Sequence, residues 1–182
     1  MNVTETGIKD LVVLEPRIFP DARGYFFESF NKKTLESKGL YYDFIQDNQS
    51  KSSYGVVRGL HFQLPPHAQS KLVRVLVGEI YDVAVDIRTN SSTFGKWFGI
   101  KLSAENKKQL LIPKGFAHGF SVLSDEAVVM YKCDDYYAPG CEGGLLFNDP
   151  ALAIDWHIDT EKAIVADKDL ALPALQNIIS PF

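Results

Sequence analysis

Residues 71–88 constrain the fold more than any other part of the chain, because apolar and polar side chains alternate along most of this segment. Period-two alternation is typical of a β-strand whose two faces differ. Gly78 and Glu79 interrupt the pattern and predict a turn between two paired strands, 71–77 and 80–88. The second strand has a polar face of Asp82, Asp86 and Arg88 and an apolar face of Val83, Val85 and Ile87.

Similar short segments recur along the chain, with turn residues between them. The further predicted strands are 11–14, 24–30, 44–50, 56–62, 97–102, 109–112, 119–122, 127–133 and 144–147. Helical patterns are scarce: 31–37 is one short helix, stopped by Gly39, and 168–174 is a second candidate. Many short strands with few helices for crossovers predict an all-β sandwich or barrel with a mainly antiparallel sheet.

The composition limits which kinds of protein the chain can be. The chain has 182 residues, and its 13 glycines and 9 prolines are spread rather than gathered into a linker, so we expect a single domain over 1–182. A formal net charge of −4 disfavours nucleic acid as a partner. No apolar run reaches the roughly 20 residues of a membrane helix. Without an export signal, Cys133 and Cys141 are expected to be free thiols in a cytoplasmic protein.

Three runs carry side chains that could do chemistry. Arg58 and His61 lie in RGLHFQ, His118 lies in IPKGFAHGF, and Arg23 and Glu28 flank an aromatic strand. Taken one at a time, each is more typical of an ordinary structural residue: a strand histidine satisfied in the core, a histidine at a turn, or a solvated ion pair. The runs are informative only together.

Together these runs resemble the dTDP-4-dehydrorhamnose 3,5-epimerase family. The resemblance extends from Leu14-Glu15-Pro16 to Asp167-Lys168-Asp169, and its densest motifs are RGLHFQ, VGEIYDVAVDIR, LSAENKKQL and IPKGFAHGF. The family implies a cupin-type antiparallel jelly roll (double-stranded β-helix) that forms homodimers. This fold agrees with the strand-rich pattern found independently.

The resemblance also implies a substrate, a 4-keto-6-deoxyhexose linked to dTDP, and a reaction that inverts C3 and C5. Both carbons are α to the C4 ketone, so each inversion needs proton removal on one face and reprotonation on the other. By the resemblance, His61 is the base, Asp169 orients it, and Tyr131 is the acid on the opposite face. Lys71, assisted by His118, is expected to stabilise the C4 oxyanion.

The remaining positions carried over from the family concern substrate binding. They are Arg23, Glu28, Gln46, Asn48, Arg58, His118, Glu142 and Lys168. The arginine forks suit a diphosphate, and the two amides suit a pyrimidine edge or ribose hydroxyls. Family dimers exchange N-terminal strands, so Arg23 is expected to act across the dimer interface.

We expect neither a metal ion nor a nicotinamide cofactor. A cupin metal site usually begins with an HxH pair, but here the run is His61-Phe62-Gln63, and His67 lies beyond Pro65-Pro66. The chain also lacks a G-x-G-x-x-G fingerprint after a strand.

Two kinds of alternative stay open on the sequence alone. Related enzymes invert only C3 or only C5, or move the ketone between C3 and C4, and the single-centre relatives share the His-Asp and Tyr positions. A non-catalytic cupin that binds a small molecule is the other alternative, although joint retention of His61, Lys71, Tyr131 and Asp169 counts against it.

Overall fold

The computed structural model describes all 182 residues and consists almost entirely of β-strands and loops. The strands are β1 (Asn2–Glu5), β2 (Val12–Glu15), β3 (Ile18–Asp21), β4 (Gly24–Phe27), β5 (Gln46–Ser53), β6 (Val57–Gln63), β7 (Lys71–Val77), β8 (Glu79–Asp86), β9 (Trp97–Ser103), β10 (Gln109–Ile112), β11 (Phe116–Val122), β12 (Glu126–Cys133) and β13 (Glu142–Gly144). The helices are α1 (Lys32–Glu36) and α2 (Asp167–Leu170), and the 3₁₀ turns are Pro139–Cys141, Thr160–Lys162 and Leu175–Asn177.

Two antiparallel sheets make up the body of the fold. The first has the order β1-β2-β10-β7-β12-β5, the second has the order β13-β6-β11-β8-β9, and β3 pairs with β4 in a separate hairpin. Apolar side chains on the inner faces, including Val73, Ile80, Leu110 and Phe120, pack together in one core cluster between the sheets. The expected all-β, antiparallel jelly roll is confirmed. None of its helices is both long and apolar enough to cross a membrane.

The predicted hairpin through Gly78 is wrong. Strand β7 pairs with β10 and β12 in the first sheet, whereas β8 pairs with β11 and β9 in the second. Gly78 is the single residue between β7 and β8, and there the chain passes from one sheet to the other with a positive φ of 76°. A Cβ at this position would collide with the carbonyl oxygen of Glu126, so the crossing requires glycine.

The two faces of β8 are as unlike as predicted, but neither is solvent-exposed. Asp82 and Asp86 on the polar face are both fully buried between the sheets. The opposite face, with Val83 and Val85, packs beneath the C-terminal part of the chain in a second core cluster that includes Trp156. The polar face of β8 therefore points into the interior of the jelly roll, where a buried polar group needs a structural or chemical reason.

Several strands and helices begin or end at residues other than those predicted. Strand 24–30 ends at Phe27, strand 119–122 begins at Phe116, and strand 144–147 is replaced by β13. Helix 31–37 is α1, with Asn31 as its N-cap, and helix 168–174 shortens to α2. Strands β1 and β3 were not predicted, because neither has a buried face that would impose an alternating pattern.

Candidate active site

A cavity of about 510 Å³ opens between the two sheets. Its lining gathers residues from both sheets and from the segment around α2: Ser50, Val56, Val57, Arg58, His61, Lys71, His118, Phe120, Tyr131, Glu142, Ile164, Val165, Ala166, Lys168 and Asp169. Eight of the twelve site residues expected from the sequence thus line one space. All four that the family resemblance marks as catalytic are among them.

A bulge in β6 brings Arg58 and His61 to the same wall. His61 pairs with His118 of β11, but Arg58 pairs with Phe120, so three steps along β6 match two along β11. Strict alternation would place Arg58 and His61 on opposite faces, and the extra residue cancels that difference. Gly59 makes the bulge possible: its φ is +125°, and a Cβ there would lie 2.6 Å from Cα of Gly119.

His61 is held by a buried carboxylate. Its Nε2 lies 2.8 Å from Oδ1 of Asp169, whose side chain is only 4% exposed, while the His61 side chain is 34% exposed. The backbone N–H of Gly59 donates to Asp169 Oδ2 at 3.2 Å, so both carboxylate oxygens are engaged. A carboxylate on Nε2 fixes the proton at that nitrogen and leaves Nδ1 as the available base.

Burial controls the ionisation of His61. Removal from water lowers its pKa below the ordinary value, and the contact with Asp169 opposes this shift only in part. The positive charges of Lys71 and Lys168 lower the pKa further. The imidazole is therefore neutral near pH 7, as a proton acceptor must be.

Lys71 and Tyr131 face His61 from the first sheet. They lie on the inner faces of β7 and β12, with Lys71 Nζ 5.8 Å from the centre of the Tyr131 ring. Burial raises the pKa of Tyr131 and keeps the phenol protonated. Burial also lowers the pKa of Lys71, and the nearby carboxylates of Asp82 and Glu142 oppose this shift. The cavity thus has a proton acceptor on one wall and a protonated phenol beside an amine on the other.

A second histidine–carboxylate pair adjoins the cavity, with His118 in the lining and Asp82 outside it. His118 Nε2 is 2.7 Å from Asp82 Oδ1, and the two side chains are 7% and 0% exposed. Asp82 was predicted to lie on a polar strand face, but it was not among the expected site residues. The available clue was a carboxylate in the middle of the strand, between the apolar residues Ile80 and Ala84 on the same face.

The rim of the cavity is charged. Lys168 Nζ and Glu142 Oε1 are 3.6 Å apart and partly exposed, so their attraction is weak and both remain free to meet a ligand. Arg58 Nε donates to Ser52 Oγ at 2.9 Å, which orients its guanidinium without neutralising it.

Four expected binding residues lie outside this cavity. Gln46 and Asn48 occupy the same inner face of the first sheet, where Asn48 pairs with Tyr131 and Gln46 pairs with Cys133. Gln46 Nε2 donates to Asn48 Oδ1 at 3.0 Å, so the two amides form one polar strip beside the cavity.

Arg23 and Glu28 lie elsewhere, on or just after the β3–β4 hairpin. The Arg23 side chain is 90% exposed and pairs with Asp21 at 2.6 Å, and Glu28 accepts from Asn31 Nδ2. Within one chain, neither residue lines the cavity.

The metal hypothesis gains no support from the side-chain arrangement. No three His, Cys, Asp or Glu side chains lie close enough together to hold a metal ion. Both cysteines are free, Cys133 in the interior and Cys141 partly exposed, and burial raises the pKa of Cys133 to about 11. The expected cytoplasmic location remains a prediction.

Comparison with known proteins identifies a family that the chain matches. Residues 5–177 match the family model described as dTDP-4-dehydrorhamnose 3,5-epimerase. The Shigella flexneri dTDP-4-dehydrorhamnose 3,5-epimerase is 54% identical over 171 residues, covering 93% of each chain.

Solved structures agree. A dTDP-4-dehydrorhamnose 3,5-epimerase from Elizabethkingia anophelis superimposes with a TM-score of 0.93 at 53% identity, covering 97% of each chain. A Legionella pneumophila 3,5-epimerase in complex with dTDP-4-keto-L-rhamnose has a TM-score of 0.93 at 51% identity, covering 98% of this chain and 94% of that one. This chain therefore belongs to the dTDP-4-dehydrorhamnose 3,5-epimerase family.

Proposed function

We propose that this chain converts dTDP-4-dehydro-6-deoxy-D-glucose into dTDP-4-dehydro-L-rhamnose by inverting C3 and C5 of the sugar. The observation that carries the proposal is one cavity with the His61–Asp169 pair on one wall and Tyr131 on the other. An epimerase needs two proton-transfer groups on opposite faces of its substrate. A cupin that only binds a sugar has no such need.

The C–H bonds at C3 and C5 are weakly acidic because the ketone at C4 accepts the electron pair as an enolate. Neutral His61 removes the proton from one face, and Asp169 stabilises the imidazolium that forms. In a 6-deoxy-D-gluco sugar the hydrogens on C3 and C5 project from the same face of the ring, so one base on that face serves both carbons. General base catalysis of this kind contributes about 10²–10⁴-fold to the rate.

Tyr131 returns a proton from the opposite face. Its raised pKa keeps the hydroxyl protonated and able to donate at neutral pH. Before the next inversion, the imidazolium of His61 must release its proton to solvent and the phenol must regain one from solvent. The cavity opening allows water to supply it.

Lys71 and His118 stabilise the enolate oxygen at C4. Lys71 Nζ makes no hydrogen bond or ion pair within the chain, so its N–H groups are free for the substrate. A single preorganised donor of this kind contributes about 3–4 kcal/mol to the transition state. No hydride or electron leaves the sugar, so the reaction requires no redox cofactor.

The nucleotide positions the sugar between the two walls. Arg58, Lys168 and Glu142 line the cavity rim and suit the diphosphate and ribose. Gln46 and Asn48, on the adjacent polar strip, suit the pyrimidine edge. Binding energy from this remote part of the substrate holds the reacting carbons in place.

We further propose that the chain acts as a homodimer in which Arg23 and Glu28 reach the partner's nucleotide. Their hairpin extends exposed aromatic rings, Tyr25 at 59% and Phe26 at 68% exposure, which favours a protein surface as their neighbour. Light scattering is expected to give twice the 20.4 kDa chain mass. A monomer mass at micromolar concentration, or an Arg23→Ala variant with unchanged KM, would contradict this arrangement.

Incubation with the keto-sugar nucleotide in D₂O tests the reaction itself. Deuterium is expected at both C3 and C5, detected by NMR, together with L-configured product. Label at one carbon alone would identify a single-centre epimerase, and no label would identify a binding protein.

A further inference from the structure

Asp82 has an unusual environment for a buried carboxylate. It lies in the middle of β8, is 0% exposed, and faces the space between the sheets. Its Oδ1 lies 2.7 Å from His118 Nε2, but its Oδ2 is buried and has no hydrogen-bond partner. An unsatisfied buried polar atom typically costs about 1–3 kcal/mol, and more when charged, so stability alone does not account for it.

Asp169 gives the contrasting case. Both of its oxygens are engaged, one by His61 and the other by the backbone N–H of Gly59. A second donor withdraws charge from a carboxylate and weakens its influence on other groups nearby. Asp82 lacks that donor, so its negative charge acts undiminished on whatever cation lies in the cavity.

Lys71 is that cation. Its amino group is free of hydrogen bonds and ion pairs, and Asp82 is one of the charges that raise its pKa against the effect of burial. The titratable groups that face it across the cavity and along the first sheet are Asp82, Cys133, Glu142, Tyr131 and His61. His118 also lines the cavity. Its Nδ1 makes no hydrogen bond within the chain, and this atom is accessible rather than buried.

We propose that Asp82 is a positioning residue for one of the two donors to the C4 oxygen: its Oδ1 fixes the imidazole of His118 through Nε2. This inference rests on the proposed function. By holding Nε2, Asp82 turns Nδ1 of His118 toward the substrate.

The variant Asp82→Asn keeps the size of the side chain and removes its charge. We expect kcat to fall about 10–100-fold, as for other groups that orient a catalytic residue, while the Kd for dTDP stays unchanged. Deuterium exchange at C3 and C5 is expected to fall by the same factor, since both enolates share one oxygen. The basic limb of the kcat profile is expected to move to lower pH, because Lys71 loses a compensating negative charge.

Asp86→Asn is the matched control. Asp86 lies on the same face of the same strand and is equally buried, but it is bonded to Arg88, Ser91 and Thr93 instead of to a histidine that lines the cavity. We expect lower thermal stability in this variant and no movement of the basic limb. A folded Asp82→Asn enzyme with wild-type kcat, or with a loss of dTDP affinity that accounts for the whole loss of activity, would overturn the proposal.

A measurement on the unmodified protein covers the case in which Asp82→Asn fails to fold. Nitrogen-15 NMR is expected to show the proton of His118 on Nε2, and a proton on Nδ1 alone would exclude the proposed contact. This result stands whether or not the protein epimerises sugars. Absence of product from the wild type would instead refute the proposed function.

Discussion

The two walls of the cavity differ in how their reactive side chains are paired. On the second sheet, each imidazole is tied to a carboxylate, His61 to Asp169 and His118 to Asp82. On the first sheet, Lys71 and Tyr131 make no hydrogen bond or ion pair with a carboxylate, and burial is the main cause that lowers the pKa of Lys71 and raises the pKa of Tyr131. His61, which becomes positively charged when it takes a proton, has a carboxylate that stabilises this change. Lys71 and Tyr131, which donate to the substrate, have no carboxylate bonded to them.

Removing the base, His61, from the wall where histidines contact carboxylates is expected to have the largest effect on activity. We expect His61→Ala to abolish deuterium uptake at both C3 and C5, since both inversions begin with proton loss, with a fall in kcat of about 10³-fold or more. His67→Ala is the matched control, because His67 is partly exposed and lies outside the cavity. Residual exchange at one carbon in His61→Ala would mean that a second base exists, and His118 would be the first to test.

Removing the acid, Tyr131, from the wall formed by the first sheet is expected to separate proton exchange from inversion of configuration. Tyr131→Phe leaves the base and oxyanion donors in place, so some exchange with retained configuration is expected while epimerised product falls about 10²-fold. The comparison uses NMR of product and recovered substrate, with Tyr54→Phe, an exposed tyrosine, as control. Wild-type rates in Tyr131→Phe would reduce Tyr131 to a packing residue, and Tyr137 or a bound water would become the acid to test.

The pairing of His61 can be tested through pH. Because the pKa of His61 is lowered, the acid limb of kcat/KM is expected below the ordinary histidine value of about 6.5. Asp169→Asn removes a contact that raises this pKa, so the limb should move to still lower pH while kcat falls about 10–100-fold. An acid limb that stays in place in Asp169→Asn would assign it to a group other than His61.

The smallest effect should come from Asp86, a paired carboxylate with no place in the cavity. Its pKa is lowered from 3.8 to about 2 by bonds from Arg88, Ser91 and Thr93 that outweigh its burial. The folded pKa lies below the unfolded one, so this carboxylate stabilises the fold above about pH 4, and the contribution disappears as the pH falls to 2. A shift of this size corresponds to about 2 kcal/mol.

Thermal unfolding checks that expectation. Wild type should be the more stable protein at pH 7, and the difference from Asp86→Asn should shrink between pH 4 and 2. A gap that persists unchanged at pH 2 would indicate that packing, rather than charge, sets the contribution of Asp86.

Local patterns in the sequence predicted which segments form strands, but not how the strands assemble. Alternation in residues 71–88 predicted two strands, because each has one distinctive face. The same pattern could not show that Gly78 carries the chain between sheets, since hairpins and crossovers share a glycine turn. Burial of the Val83 and Val85 face of β8 depends on the C-terminal segment, which begins about 60 residues away in sequence.

The same contrast, between what local patterns predict and what depends on assembly, applies to the site. The catalytic residue types were predicted from the family motifs, and the structure brings His61 and Asp169 together across 108 positions. Alternation alone would have separated Arg58 from His61, because a bulge shifts the phase of a strand without a distinct sequence mark. The role of Asp82 became visible only once its unpaired oxygen could be located.

The unequal accessibility of the two cysteines has a practical consequence for spectroscopy. A thiol pKa of about 11 leaves only about one Cys133 in 10⁴ ionised at pH 7, and its full burial excludes reagents as well. Cys141 is partly exposed and directly precedes Glu142 at the cavity rim. A maleimide dye or nitroxide will therefore attach to Cys141 in the native sequence, and its emission or line shape will report nucleotide arrival in real time.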